Sequence, residues 1–279
     1  MESRDGGSMS YERYTVAVVC AMSMEMSAVR YMLDKEHPRL QQKQGDFNTY
    51  LAVKGKGSAA TVANNLARTF PAITPRFLIG IGGGVPSERN DIPLGDVVVS
   101  MPNGEYGSVV QYGPGKETDG GFVLKGFLWP PPPLLRSAVE NMRSDHLVSD
   151  NRIEELKQPT CDQCDHQRAI QRQDREFPGP QIHYGLIAFG DRVMRTTNGT
   201  ARTGFGGVPW FEMETAGLMT EYSCIIIRDI SDYANSHKND GWLHYTAAKA
   251  AACTKELLSY LQPGENPLYF ANPSTSRMV

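Results

Sequence analysis

The sequence predicts an α/β fold with three layers, a central mixed sheet flanked by helices. Short runs that are apolar throughout, rather than alternating, mark strands covered on both faces. Their regular alternation with helix-spaced segments gives the layered order. Polar residues gather just past several of these runs, which is where ligands sit in open α/β sheets, beyond the carboxyl ends of the strands.

Taken in order, the run YTVAVVCAM from Tyr14 to Met22 passes directly into SMEMSAVRYML, whose apolar spacing suits a helix. TYLAVKG followed by SAATVANNLARTF repeats that pairing. RFLIGIGGG, DVVVSMP, HYGLIAFG and CIIIRDIS read as further strands, mainly parallel in the first half. The Ala-rich stretch from Tyr245 to Leu261 reads as a long closing helix. Between about 104 and 181 the pattern weakens into GPGKETDGG, a Pro run from Trp129 to Pro133, and a polar stretch ending in REFPGPQ. This is expected to be a large surface insertion within one domain. The Pro run leads into a helix, LLRSAVENMRSD, because Pro is tolerated in a first turn. The domain is expected over 13–263, with tails at 1–12 and 264–279.

At 279 residues, 40% hydrophobic and 21% charged, the chain has the composition of a soluble globular protein with a substantial core. A net charge of -3, with Lys and Arg scattered, argues against wrapping a nucleic-acid polymer or docking on a membrane through a polybasic patch. Any phosphate binding must then be local. The first ten residues lack the apolar core of a signal peptide, and no run reaches the roughly 20 residues of a membrane crossing, so a cytoplasmic location is expected. Cys20 and Cys224 lie in apolar runs as ordinary buried thiols, and no disulfides are expected among the five cysteines. Cys161, Cys164 and His166 in CDQCDH invite a zinc reading, but one CxxC and one His fall short of four ligands. No metal and no cofactor are expected.

Five places past strand ends carry candidate chemistry. Glu25 lies just after the first strand, where a carboxylate serves either a ligand or the helix dipole. GIGGGVP, with Gly82 and Gly83, either lets the backbone approach a ligand or makes a tight turn; it matches neither a Walker loop nor a complete GxGxxG. FGDRVMR holds Phe189, Arg192, Val193 and Arg195, a pocket rim or a solvated cluster. FEMETAG holds Phe211, Glu212, Met213 and Glu214, either a helix start or a sugar site in which carboxylates accept hydroxyl hydrogen bonds. In IIIRDISDYAN four polar residues, Arg228, Asp229, Ser231 and Asp232, follow three isoleucines. That layout suits a catalytic acid on a rigid element, or a helix cap.

Together the motifs AM-x-x-E, EMET and R-x-ISD-x-A resemble the purine nucleoside phosphorylase and uridine phosphorylase superfamily. The resemblance is nearest to its 5′-methylthioadenosine/S-adenosylhomocysteine nucleosidases and to the nucleoside phosphorylase-like domains of fungal proteins, and it runs from about Tyr14 to Leu261. It implies hydrolysis of the N-glycosidic bond of an adenine-type nucleoside or nucleotide to free base and ribose or ribose phosphate. Asp232 matches the acid that protonates N7 of the purine, Glu25 the carboxylate that activates water, and Glu214 the residue that grips the ribose hydroxyls, with Met213 against the sugar. One acid must hold a proton while the other stays a base, so their environments must differ. Leu78 stands where a phosphorylase would present an arginine to phosphate, which favours water as nucleophile; Arg30, Arg192 and Arg228 are the alternative cations. Where an aromatic ring would stack on adenine the chain has Val193, so Phe189, Phe211 or Trp242 takes that part. Arg192, Arg195 and Lys238 suit a 5′-phosphate chain. The resemblance also implies a homo-oligomer, a dimer or larger. A phosphate-dependent purine nucleoside phosphorylase, and a repurposed nucleotide-binding or sensor domain or enzyme acting on another metabolite, are the alternatives.

Overall fold

In the computed structural model the described residues are 10–36, 40, 43–44, 64–86, 91–104, 106–111, 115–118, 121–124, 128–153, 172, 175, 179–189, 210–212, 219, 222–234 and 238–261. The strands are β1 Ala17–Cys20, β2 Arg76–Gly84, β3 Val97–Ser100, β4 Val109–Gln111, β5 Gly115–Thr118, β6 Gly121–Leu124, β7 Ile182–Gly185, β8 Ile187–Phe189, β9 Trp210–Glu212 and β10 Ile225–Asp232. Three helices are labelled here: α1 Ser23–Met32, α2 Pro133–Asp145 and α3 Trp242–Ser259.

Eight strands form one mixed sheet in the order β4-β8-β9-β2-β10-β3-β7, with β1 also on β2; β5 and β6 form a separate antiparallel hairpin. β2 lies parallel to β1 and β10, while β3 runs antiparallel to β10 and β9 antiparallel to β2. The central strands β3 and β10 are buried on both faces, and valine and isoleucine fill most of their positions. Val97 to Ser100 are all buried, as is every residue of β10 up to Ser231. Alternation along the pleat divides these side chains into two apolar layers. Phe77, Ile79, Val97, Val99, Ile225 and Ile227 pack with α2 and α3; Leu78, Val98, Ile226, Ile230, Ile187 and Phe189 pack on the opposite face.

The stretch 104–181 is only partly the surface insertion that its composition suggests. β4 belongs to the main sheet through its parallel pairing with β8. Leu135, Ala138, Val139 and Met142 of α2 are core residues. The Pro run does lead into that helix, with Pro at its first turn. Three-residue strands such as β4 and β9 are too short to show a period, which is why their sheet membership is hidden in the sequence. Among the described residues no helix is long and apolar enough to cross a membrane.

β2 positions the site. One of its edges is taken by β10 from Phe77 to Gly83. The other edge is shared: β1 covers Arg76 to Ile79, and β9 covers only Gly83 and Gly84. The sheet therefore forks beside Gly80 to Gly82, at the carboxyl ends of β1, β2 and β10.

Candidate active site

α1 begins two residues beyond β1, so its first turn stands over the fork. Helix N-termini carry amide donors without intrahelical partners, and Glu25 accepts two from the approach to this one. Its Oε2 accepts the Ala21 and Met22 N–H groups, each at 2.9 Å, the backward-reaching half of a capping box. Its Oε1 accepts the Ile81 N–H at 3.0 Å, filling the gap that β1 and β9 leave on the edge of β2. Arg228 of β10 brings Nη1 to 3.8 Å from the same oxygen, and both side chains are 1% exposed. Charges buried so deeply are retained only when paired and hydrogen-bonded. Glu25 is thus a buried, four-way anchored group, not a surface residue answering the helix dipole.

The glycines that suggested a loop continue β2 as a strand to Gly84. Their use is space. A Cβ at Gly80 would collide with the Arg228 guanidinium and the Glu25 carboxylate, so only glycine lets these two residues meet across the strand. At Gly82 a Cβ would stand 3.1 Å from the Phe211 carbonyl oxygen of β9. At Gly83 it would stand 3.2 Å from Asp232 Oδ1.

Asp232 reaches Gly83 through a bulge. β10 pairs residue for residue with β2 up to Ile230 and Gly82, and then Asp232, not Ser231, stands opposite Gly83. Two residues against one turn the following side chain to the other face. Asp232 Oδ1 accepts the Ala234 N–H at 2.8 Å, and Ala234 takes a left-handed φ of 51° to close the turn. Oδ2 accepts Lys238 Nζ at 2.9 Å. Polar residues Arg228, Asp229 and Ser231 accordingly lie inside the strand, which runs to Asp232. The points where β2 meets Glu25 and Asp232 are three residues apart, roughly 10 Å along an extended chain.

Of the remaining candidates, Phe189 is fully buried in an apolar layer and Phe211 nearly so. Trp242 opens α3, edge-on to Tyr245 at 5.4 Å. Glu212 closes β9. Met213, Glu214, Arg192, Val193 and Arg195 lie outside the described residues, as do Cys161, Cys164 and His166. Leu78 is a core residue, and Arg30 is held by Glu36 through bonds of 2.6 and 2.9 Å. Lys238 lies on Asp232, a partner its position in the sequence does not disclose. Cys20, Cys224 and Cys253 are buried free thiols. Burial, with the Glu25 charge adding to it against Arg228, pushes the Cys20 thiol up to about 12.

A charged cluster that the sequence did not single out flanks the other side of β10. Asp96, just before β3, accepts two hydrogen bonds from Arg175 at 2.8 and 2.7 Å and one from His183 Nε2 at 2.7 Å. Burial acts to raise its carboxyl, but these bonds outweigh that and hold it below the ordinary range. Asp229 is fully buried nearby, and burial reinforced by Asp96 holds its carboxyl well above the ordinary range despite Lys249. An acid inside an otherwise apolar strand run was the signal available.

The mixed sheet flanked by helices is the nucleoside phosphorylase-like fold, shared with solved nucleosidases. The chain is similar to a putative 5′-methylthioadenosine/S-adenosylhomocysteine nucleosidase of Borrelia burgdorferi bound to adenine, with a TM-score of 0.61 and 19% identity over 88% of this chain and 99% of that one. The nucleosidase of Neisseria meningitidis in complex with methylthio-immucillin-A gives 0.56 and 21% over 88% and 99%. Futalosine hydrolase of Helicobacter pylori gives 0.59 and 14% over 90% and 100%. No protein-family model matches the sequence. A nucleotide-binding leucine-rich repeat (NLR)-like protein of Hyaloscypha variabilis is 33% identical over an alignment 298 positions long, gaps included, which covers 92% of this chain and 30% of that protein. The chain thus spans about 30% of the length of this relative.

Proposed function

We propose that the chain hydrolyses the N-glycosidic bond of an adenine-type nucleoside or nucleotide, giving free base and ribose or ribose phosphate. The observation that carries this reading is the pair Glu25 and Asp232 beside one glycine-lined strand, Glu25 hydrogen-bonded to the Ile81 N–H of β2 and Asp232 held by the Ala234 N–H next to Gly83. Glu25 is surrounded by donors, as an ionised carboxylate requires, and in this reading it takes the proton of the attacking water. Asp232 delivers a proton to N7, making the purine a better leaving group as C1′ takes on oxocarbenium character. Glu214 and Met213 are assigned to the ribose on the strength of the sequence resemblance, and Arg192 and Arg195 to a 5′-phosphate chain. Water is favoured over phosphate because Leu78 is apolar and buried, Arg30 is engaged by Glu36, and Arg228 lies against Glu25. The solved structures to which the chain is similar, nucleosidases and a futalosine hydrolase by name, are in keeping with this reading. The pocket is expected to be completed in a homo-oligomer.

The test is release of base from adenosine, 5′-methylthioadenosine, AMP and ATP in phosphate-free buffer, followed by chromatography. Release that requires added phosphate assigns the chain to the phosphorylases instead. Asp232→Asn should lower turnover about 10²- to 10⁴-fold; undiminished turnover would remove Asp232 from the mechanism. The similarity to one part of an NLR-like protein supports a second reading, a nucleotide-sensing domain of a larger receptor. A nucleotide that raises the melting temperature without being cleaved would favour it.

A further inference from the structure

We propose that Lys238 is the proton reservoir for the departing base, a positioning residue that supplies its proton through Asp232. The inference rests on the nucleosidase reading above. Both oxygens of Asp232 are already engaged as acceptors, Oδ1 by the Ala234 N–H at 2.8 Å and Oδ2 by Lys238 Nζ at 2.9 Å. Asp232 is thereby tied to the backbone on one side and to an ammonium donor on the other.

That arrangement solves a difficulty of supply. Lys238 Nζ is a donor with several protons, and one of them is already directed at Asp232 Oδ2. As the C1′–N9 bond breaks, its electron pair passes to the base and N7 becomes strongly basic. N7 takes a proton from Asp232, which is replenished by Lys238. Water adds to C1′ and its proton passes to Glu25. The products are neutral base and ribose, with Lys238 as the amine and Glu25 protonated; solvent then takes the Glu25 proton and returns one to Lys238. The exposures fit this direction of flow: the Asp232 side chain is 14% exposed, and Lys238 is 48% exposed to the bulk water that recharges it.

Other charged groups among the described residues around the pair have engagements of their own. Glu25 and Arg228 face one another. Arg172 is tied to Asp91 and to the Tyr233 hydroxyl, which also accepts the Leu94 N–H. Asp240 and His244 lie at the exposed start of α3.

The experiment compares wild type with Lys238→Met and Lys238→Arg. Turnover is followed from pH 5 to 10 on the best adenine substrate of the phosphate-free panel and on p-nitrophenyl ribofuranoside, whose leaving group departs without protonation. Lys238→Met should lose about 10²-fold or more on the adenine substrate at pH 8, with its alkaline limb displaced towards acid pH. The loss should be at least tenfold smaller on the nitrophenyl riboside. Lys238→Arg keeps the ion pair but releases its proton too reluctantly to restore turnover. Its melting temperature serves as the check on folding should Lys238→Met prove unstable. A wild-type alkaline limb in Lys238→Met, full rescue by arginine, or equal losses on both substrates would each overturn the proposal. If wild type releases no base from any substrate, the nucleosidase reading falls and this inference with it; wild-type release with an unaltered profile in Lys238→Met removes the inference alone.

Discussion

At the scale of a single residue, Glu25 has an observed role as an anchor and a proposed one as the base, and two substitutions separate them. It accepts three backbone N–H groups and faces Arg228. Glu25→Ala leaves those donors without their acceptor, and buried donors left unmade cost about 1–3 kcal/mol each. A loss of about 3 kcal/mol or more is expected in denaturant unfolding. Glu25→Gln retains one acceptor oxygen and should stay folded while losing about 10²- to 10⁴-fold in turnover. A folded Glu25→Gln protein with wild-type turnover would show that the group is an anchor only. The sequence indicated Glu25 through its place after the first strand, but not its burial. Burial follows from Arg228, which arrives from a strand two hundred residues away, and no local spacing encodes that meeting.

At the scale of the element, β2 is the part that other residues use. Gly80 makes room for groups from α1 and β10 and Gly83 for the end of β10, and the distances rank them. A Cβ at Gly80 collides with charged groups that are themselves anchored, whereas at Gly83 it meets Asp232 Oδ1 and the Ala234 Cβ at 3.2 and 3.1 Å, which shifts of a few tenths of an ångström would relieve. Gly80→Ala should therefore cost more in stability, on the order of 1–3 kcal/mol, and more in turnover than Gly83→Ala. The reverse ranking in paired unfolding and activity measurements would contradict this assignment. The apolar runs made β2, β3 and β10 legible, because strands buried on both faces need no period to stand out. The bulge at Ser231 and the fork were not legible, since both depend on which strand lies alongside.

At the scale of the whole molecule, two buried aspartates give stability opposite dependences on pH. The Asp229 carboxyl is held well above the ordinary range, by burial first and then by Asp96. The unfolded chain releases this proton near pH 4. Above that the native state binds more protons than the unfolded one, and this contribution declines as pH rises. Asp96 is held low by Arg175 and His183 against its burial, so its contribution is present above about pH 4 and is lost as pH falls through the lower native value. Asp229→Asn should therefore raise the melting temperature more at pH 8 than at pH 5, and Asp96→Asn should destabilise at pH 7 far more than at pH 3. Melting curves across pH decide both, and a uniform effect of either substitution would refute its sign. This cluster escaped the sequence because Asp96, Arg175 and His183 come from three separate segments, two of them in or beside the stretch read as insertion. The fork in the sheet also gives the protein a built-in spectroscopic reporter. The Ile81 amide donates to the Glu25 carboxylate across 56 residues of sequence, and hydrogen bonds to an ionised acceptor are shorter and stronger than those to a neutral one. In a nitrogen-15 spectrum that backbone resonance should move if Glu25 gains or loses a proton, reading the proposed base through turnover with no label on any side chain.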